Sequence, residues 1–180
     1  PMASEDPAIA EILAFIAGCP APKQRSLRTR HHGDYHLGQV LVSNNDFLII
    51  DFEGEPSRPL SERRIKRSAL RDVAGMLRSF HYAPHAVIFG QAQSSVVREE
   101  DAAKLDNGAR FWHRKVGAAF LRSYLAESAG GRHLPATLEE VQVLLEAYLI
   151  EKALYEIAYE LNNRPDWVRI PLRGVLDIVS

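Results

Sequence analysis

At 180 residues, with 46% hydrophobic and 25% charged residues, the chain has the composition of one ordinary globular domain, or of one lobe of something larger. Its formal net charge of −1 excludes an overall field aimed at nucleic acid or an anionic membrane. Cys19 stands alone, which excludes an internal disulfide framework; without a membrane-length apolar run or a basic-then-apolar leader, a cytoplasmic protein is expected.

In chain order, Asp6 and Pro7 read as the cap and first residue of a helix whose apolar face is Ile9, Ile12, Leu13 and Ile16, stopped at Gly18. Residues 20–30 are rich in proline and base (Lys23, Arg25, Arg28, Arg30), as expected of an exposed connector. Val40-Leu41-Val42 and Phe47-Leu48-Ile49-Ile50 flank Ser43-Asn44-Asn45-Asp46, a pattern that predicts a β-hairpin. Gly54, Pro56 and Pro59 predict irregular chain up to the basic run Arg63-Arg64-Ile65-Lys66-Arg67.

The remainder reads as helical. Ser68 caps a helix with Leu70, Val73, Ala74, Leu77 and Phe80 inward. A second helix, over about 101–128, carries Leu105, Trp112, Val116, Phe120 and Tyr124 as its core face. Thr137-Leu138-Glu139-Glu140 fits a capping box that opens a third helix to about residue 161, and Pro165 ends it before a short final helix over 170–179. The expected architecture is mainly α with one small β-hairpin. It divides into a leading helix and connector (1–29), a loop–hairpin–loop unit (30–56) and a helical subdomain (57–180).

The chemistry concentrates in the middle unit. Asp34 and Gln39 lie five residues apart among two histidines and two glycines, and Asp51 stands where the hairpin returns the chain. Phosphoryl transfer needs a carboxylate to orient the attacking hydroxyl and oxygen ligands for magnesium on the nucleotide phosphates, and protein kinases meet this with an Asp, an Asn five residues on, and the Asp of an Asp-Phe-Gly element. Here Asp34 would orient or accept the hydroxyl proton, and Gln39 and Asp51 would bind Mg2+. Glu53, two residues on along an extended segment, would hold a second metal or its water. His32 and His36 would hold the loop by hydrogen bonds. A zinc site from His31, His32, His36 and Asp34 is the competing chemistry, disfavoured because its ligands crowd into six residues. Gly33 and Gly38 as plain turn residues and Asp51 as a strand-end cap are the bland alternatives.

These segments resemble the aminoglycoside-phosphotransferase-like, eukaryotic-like kinase superfamily, whose loop reads His-Gly-Asp-x-His-x-x-Asn. Within it, the stretch from Arg30 to Leu41 is similar to the maltokinase family, as are Asp51-Phe52-Glu53-Gly54-Glu55-Pro56, the run from Leu70 to Phe80, Glu151-Lys152-Ala153-Leu154-Tyr155-Glu156, Tyr159-Glu160 and Asn163-Arg164-Pro165 with Trp167. The resemblance implies the C-terminal lobe of a protein-kinase-like fold and ATP-dependent phosphorylation of maltose to maltose 1-phosphate, in some relatives fused behind trehalose synthase. It also implies that Asp72 supports the catalytic-loop backbone; first-turn complementarity to the helix dipole is compatible with that. Lys152, Tyr155, Glu156 and Tyr159 share one helix face and are expected to contact the sugar, with a Lys152–Glu156 ion pair on a half-buried face as the alternative.

No glycine-rich phosphate loop or strand-borne lysine precedes the loop, so the ATP-binding N-terminal lobe is expected to be missing and the isolated chain to be inactive. Two other functions remain open. One is a non-catalytic kinase-like domain partnering a trehalose synthase. The other is a kinase for another hydroxylated acceptor, such as an aminoglycoside, choline or homoserine, against which Gln39 and the tyrosine-rich C-terminal segment argue.

Overall fold

The computed structural model describes residues 26–93 and 99–179. The expected leading helix and most of the connector lie outside the described residues. The rest is mainly helical with one two-stranded sheet: β1 (Val40–Ser43), β2 (Asp46–Ile49), α1 (Leu60–Arg63), α2 (Leu70–Gln93), α3 (Glu99–Glu127), α4 (Leu138–Asn163) and α5 (Arg169–Val179). Single 3-10 turns stand at Leu37–Gln39 and Pro165–Trp167.

The strands pair antiparallel in the register Val40↔Ile49 to Ser43↔Asp46, around a turn in which Asn44 takes a positive φ of 54°. Asn tolerates that conformation better than most side chains. Both faces of the hairpin are wet, with Val42 76% and Phe47 69% exposed. A lone hairpin of this length is marginal in water, so it stands by its attachment at the loop end. There the Ile50 N–H donates to the Gln39 carbonyl at 3.0 Å.

The core is the seam between α2 and α4. Leu70, Val73, Ala74, Met76, Leu77 and Phe80 of α2 meet Val141, Leu144 and Leu145 of α4, with Val116, Phe120 and Tyr124 of α3 packed against them. The cap at Ser68 forms, its hydroxyl accepting from the Leu70 N–H at 3.3 Å. The α4 cap is reciprocal: Thr137 Oγ1 accepts from the Glu140 N–H (3.2 Å) while the Glu140 carboxylate accepts from the Thr137 N–H (3.4 Å). The short α1 was not expected. It starts at Pro59, whose fixed φ suits a helix entry.

Two residues expected in the α3 core, Leu105 and Trp112, are 41% and 42% exposed. The buried stripe instead runs through Ala109, and the space beyond it is polar. His81 and His85 of α2 stack there at 4.8 Å between ring centroids, and His113 of α3 meets His81 edge-on at 5.1 Å. Asp106 stands 3.4 Å from His85 and 2.7 Å from Arg173, while Asp177 stands 3.7 Å from His81 and 3.1 Å from Arg110.

Buried Arg78 crosses toward α4 and donates twice to Glu156, at 3.0 and 2.6 Å. Its route passes over Gly174 of α5, where a Cβ would lie 1.9 Å from a guanidinium nitrogen. Only glycine leaves that passage open.

Burial pulls the His81 pKa down from 6.5 to about 4, against the pull of Asp177 in the other direction. The folded state therefore takes up this proton near pH 4 and the unfolded chain near 6.5. The stability tied to neutral His81 is complete above about 6.5 and lost as the pH falls towards 4, by about 3 kcal/mol in all. Urea midpoints at pH 7 and 4.5 are expected to differ by clearly less in His81→Gln than in the parent chain; equal differences would exclude His81 as the source.

Candidate active site

The loop between Arg30 and Gln39 is fixed from below by one carboxylate. Asp72, in the first turn of α2, accepts from the His32 N–H at 2.6 Å and the Gly33 N–H at 2.9 Å. Charge-assisted bonds of this kind contribute about 1.5–3 kcal/mol each. Gly33 takes a φ of +88°, which a side chain would resist. A turn further along α2, Gly75 lets the Tyr35 carbonyl come close; a Cβ there would stand 2.7 Å from that oxygen.

His32 ties the loop to the hairpin. Its Nε2–H donates to the Ile50 carbonyl at 2.7 Å, leaving Nδ1 to accept from the Asp34 N–H at 3.3 Å. The ring packs between Tyr35 and Phe52, at 5.6 and 4.9 Å between centroids. His36 Nδ1 accepts from the Gly38 N–H at 3.0 Å, which turns Nε2 towards Asp34 at 3.6 Å.

Asp34 is the centre of charge. Lys152 of α4 places its ammonium 3.4 Å from Asp34 and 3.9 Å from Glu55. Burial pushes the Asp34 carboxyl up, but the hydrogen bond from His36 and the charge of Lys152 outweigh it and hold the pKa at about 2. The carboxylate is ionised throughout the neutral range and is a weak base. It is suited to orienting a hydroxyl rather than to removing its proton early.

The open end of the hairpin brings Gln39 and Asp51 together, the amide donating to the Asp51 carboxylate at 3.0 Å. Asp51 takes a φ of +64°, an uncommon conformation that aims its side chain back across the strands. An amide oxygen and a carboxylate side by side are a donor set that fits magnesium, which takes few protein ligands and completes its shell with water and phosphate oxygens. Gln39 would have to turn its oxygen inward to serve. Among the described residues there is no group of three or more His, Cys, Asp or Glu side chains that could hold a metal ion, and the zinc alternative has no such group to rest on.

The pairing of Glu53 with Asp51 assumes an extended segment. The segment is not extended: positive φ at Asp51 and at Gly54 (+79°) bends it, and the two-residue alternation fails. Glu53 lines a separate groove with Arg30 and Arg63, and Glu55 takes the position beside Lys152. Spacing does not single out Glu55, which follows the bend at Asp51 and Gly54.

From Asp34 a groove runs along α4 past Tyr155, Glu156 and Tyr159 to Arg164, with Tyr82 of α2 opposite. The expected face of Lys152, Tyr155, Glu156 and Tyr159 is thus assembled, but its charges pair differently from the alternative considered. Lys152 serves Asp34 and Glu55, and Glu156 serves Arg78. Glu160 is buried and held by Arg164 (2.6 Å) and by the Tyr82 hydroxyl. That contact and burial raise the Tyr82 pKa, burial being the larger cause. Arg164 also lies over the Trp167 ring at 4.6 Å and the Tyr159 ring at 5.8 Å. Spacing along α4 reveals Glu160 as a groove residue; nothing in the sequence reveals Tyr82 as its partner or Arg78 as the partner of Glu156.

The architecture is a partial kinase-like fold. No family model matches the chain. It is 27% identical over 148 residues to a glucosamine kinase of Streptacidiphilus jiangxiensis, covering 82% of this chain and 31% of that protein. It is also 27% identical over 169 residues to a glucosamine kinase of Mycolicibacterium smegmatis, covering 91% of this chain and 36% of that one. A crystal form of glucosamine kinase superposes with a TM-score of 0.64 at 25% identity, over 96% of this chain and 37% of that chain. A glucosamine kinase in complex with glucosamine, ADP and inorganic phosphate superposes with a TM-score of 0.60 at 23% identity, over 83% of this chain and 32% of that one. The chain thus spans about a third of the length of these relatives. They support the kinase-like superfamily; they do not single out maltokinases within it. No helix among the described residues is long and apolar enough to cross a membrane.

Lys152→Met is expected to raise the Asp34 pKa from about 2 towards the ordinary carboxylate range. The carbon-13 shift of the Asp34 carboxyl, followed against pH, measures it; an unmoved titration would remove Lys152 as the partner that matters.

Proposed function

We propose that the chain is the catalytic lobe of an ATP-dependent sugar kinase, with Asp34 orienting the acceptor hydroxyl and Gln39 and Asp51 holding magnesium. The observation that carries this is that the loop holding the cation-flanked Asp34 is bonded through His32 to the hairpin exit at Ile50, where Gln39 pairs with Asp51. The hydroxyl oxygen forms a bond to the γ-phosphorus as the bond to ADP breaks, and the proton leaves through Asp34 or water. Magnesium, when bound, neutralises charge on the phosphates. His36 and Lys152 together keep the Asp34 carboxyl below the usual carboxylate range, and Asp72 keeps the loop from shifting as charge moves. Asp72 and His32 are positioning residues in this reading, as is His36. An ATP-binding lobe outside this chain would complete the enzyme, and the isolated chain is expected to be inactive.

For the acceptor, we infer a neutral disaccharide such as maltose, phosphorylated at its anomeric hydroxyl, in line with the maltokinase resemblance. Two features support it. The groove continues from Asp34 past Tyr155 and Tyr159 to Arg164, which suits more than one ring. Its carboxylates are all engaged: Asp34 and Glu55 by Lys152, Glu156 by Arg78, Glu160 by Arg164. A sugar ammonium would have to displace one of these cations. Glucosamine is the second reading, favoured by the glucosamine kinase relatives. A trehalose synthase partner rests on the maltokinase resemblance alone.

The parent enzyme, given ATP, magnesium and a panel of maltose, glucose and glucosamine, is expected to turn over maltose most efficiently. Asp34→Asn is expected to lower its kcat by about 10²–10⁴-fold with an unchanged circular dichroism spectrum. Near-normal turnover of Asp34→Asn would sink the catalytic assignment, and a preference for glucosamine would replace the acceptor.

A further inference from the structure

The acceptor groove leaves unexplained a second groove beside the metal loop. It is lined by Arg30 and His31, by Arg63, Arg64 and Lys66, and by Phe52, Glu53, Leu60 and Ile65. Two basic stretches far apart in sequence are zipped together there. Thr29 and Arg67 form an antiparallel bridge, with N–H to carbonyl distances of 2.9 and 3.2 Å in the two directions. The bridge sets the cationic residues on either side of it facing one space.

The balance of charge is out of proportion to the chain. Four permanent cations, Arg30, Arg63, Arg64 and Lys66, line the groove against one carboxylate, Glu53, in a protein of net charge −1. The side chains of Arg30, Arg64 and Lys66 form no ion pair or hydrogen bond with another of the described residues, and Glu62, the carboxylate on α1, is turned to Arg58 at 3.6 Å. Arg63 donates to the Glu53 carbonyl at 3.4 Å, but its Nε is buried without a partner. Like charges held together cost stability, and buried donors left unpaired cost more. A groove of this kind is completed by an anion.

We propose that this groove binds the phosphate group of a small anion, separately from the acceptor groove and independently of the acceptor reading above. Guanidinium forks match phosphate oxygens in pairs, and a compact cluster suits one dianion rather than a long polyanion, for which the near-neutral chain offers no continuous basic track. Phe52 lines the groove and also packs on His32 at 4.9 Å, and His32 accepts the Asp34 N–H. An anion seated here therefore presses on the same ring that orders the catalytic loop.

The test is calorimetric titration of the chain with inorganic phosphate and with glucose 1-phosphate, against sodium chloride at matched ionic strength. Saturable binding tighter than about 1 mM is expected for the phosphate compounds and none for chloride. Whichever of the two binds tighter names the source as free phosphate or an organic phosphate. Arg30→Ala/Arg64→Ala/Lys66→Ala is expected to weaken binding at least about tenfold, and Lys152→Met, which removes the cation of the acceptor groove, to leave it within about twofold. Should the triple variant not fold, amide nitrogen-15 shifts of the parent chain replace it. Phosphate should then move residues 30–31, 52–53 and 63–66. Absence of saturable binding, equal weakening by Lys152→Met, or shifts confined to Asp34 and Lys152 would each overturn the proposal.

Discussion

The Asp72 carboxylate joins the two parts of this molecule. Below it lies the α2–α4 seam, a core that would form in many helical proteins; above it lies a loop whose shape has no secondary structure of its own to maintain it. By accepting the His32 and Gly33 N–H groups, Asp72 makes a helix of the core the reference for an irregular loop. Gly75 extends that control one turn on, since the Tyr35 carbonyl can rest on the helix only where a side chain is lacking. His32 then hands the position on to the hairpin exit, and the hairpin in turn sets Asp51 against Gln39. Each step is short in space and long in sequence.

Electrostatics in the groove along α4 follow a single rule: every carboxylate is paired with a cation, three cations serving four carboxylates. Lys152 is shared by Asp34 and Glu55, Arg78 is committed to Glu156, and Arg164 to Glu160. The groove is therefore rich in hydrogen-bonding atoms but close to neutral, a surface suited to hydroxyls more than to ions. The basic groove on the other side of Phe52 breaks the rule, and for that reason it asks for a ligand.

Much of this was legible from spacing. The hairpin, the caps at Ser68 and Thr137 and the α2 core stripe depend on local pattern, and the chain follows it. The candidate site was legible where its residues lie on one element, as on α4, or flank one hairpin, as Gln39 and Asp51 do. It was weaker where backbone geometry overrode alternation: two left-handed residues, Asp51 and Gly54, bend the segment that alternation takes as extended. It failed on α3, where periodicity put Leu105 and Trp112 inside, because the interior facing that end of the helix is filled by histidines and ion pairs rather than by aliphatic side chains. The resemblance to maltokinases pointed to the right superfamily, while the relatives found are glucosamine kinases. At this level of identity, the acceptor is a matter of a few groove contacts that motif matching does not weigh.

The bare backbone at Gly174 has a consequence for how such a site can change over time. Arg78 reaches Glu156 only because α5 offers no side chain in its path. Any residue that acquires a Cβ at Gly174 must drive the guanidinium elsewhere, and the carboxylate it neutralised would then face the groove uncompensated. The charge of the groove is thus exposed to drift from a helix that does not line it. Diversification of acceptors in proteins built this way can begin behind the site, with the groove residues themselves unchanged.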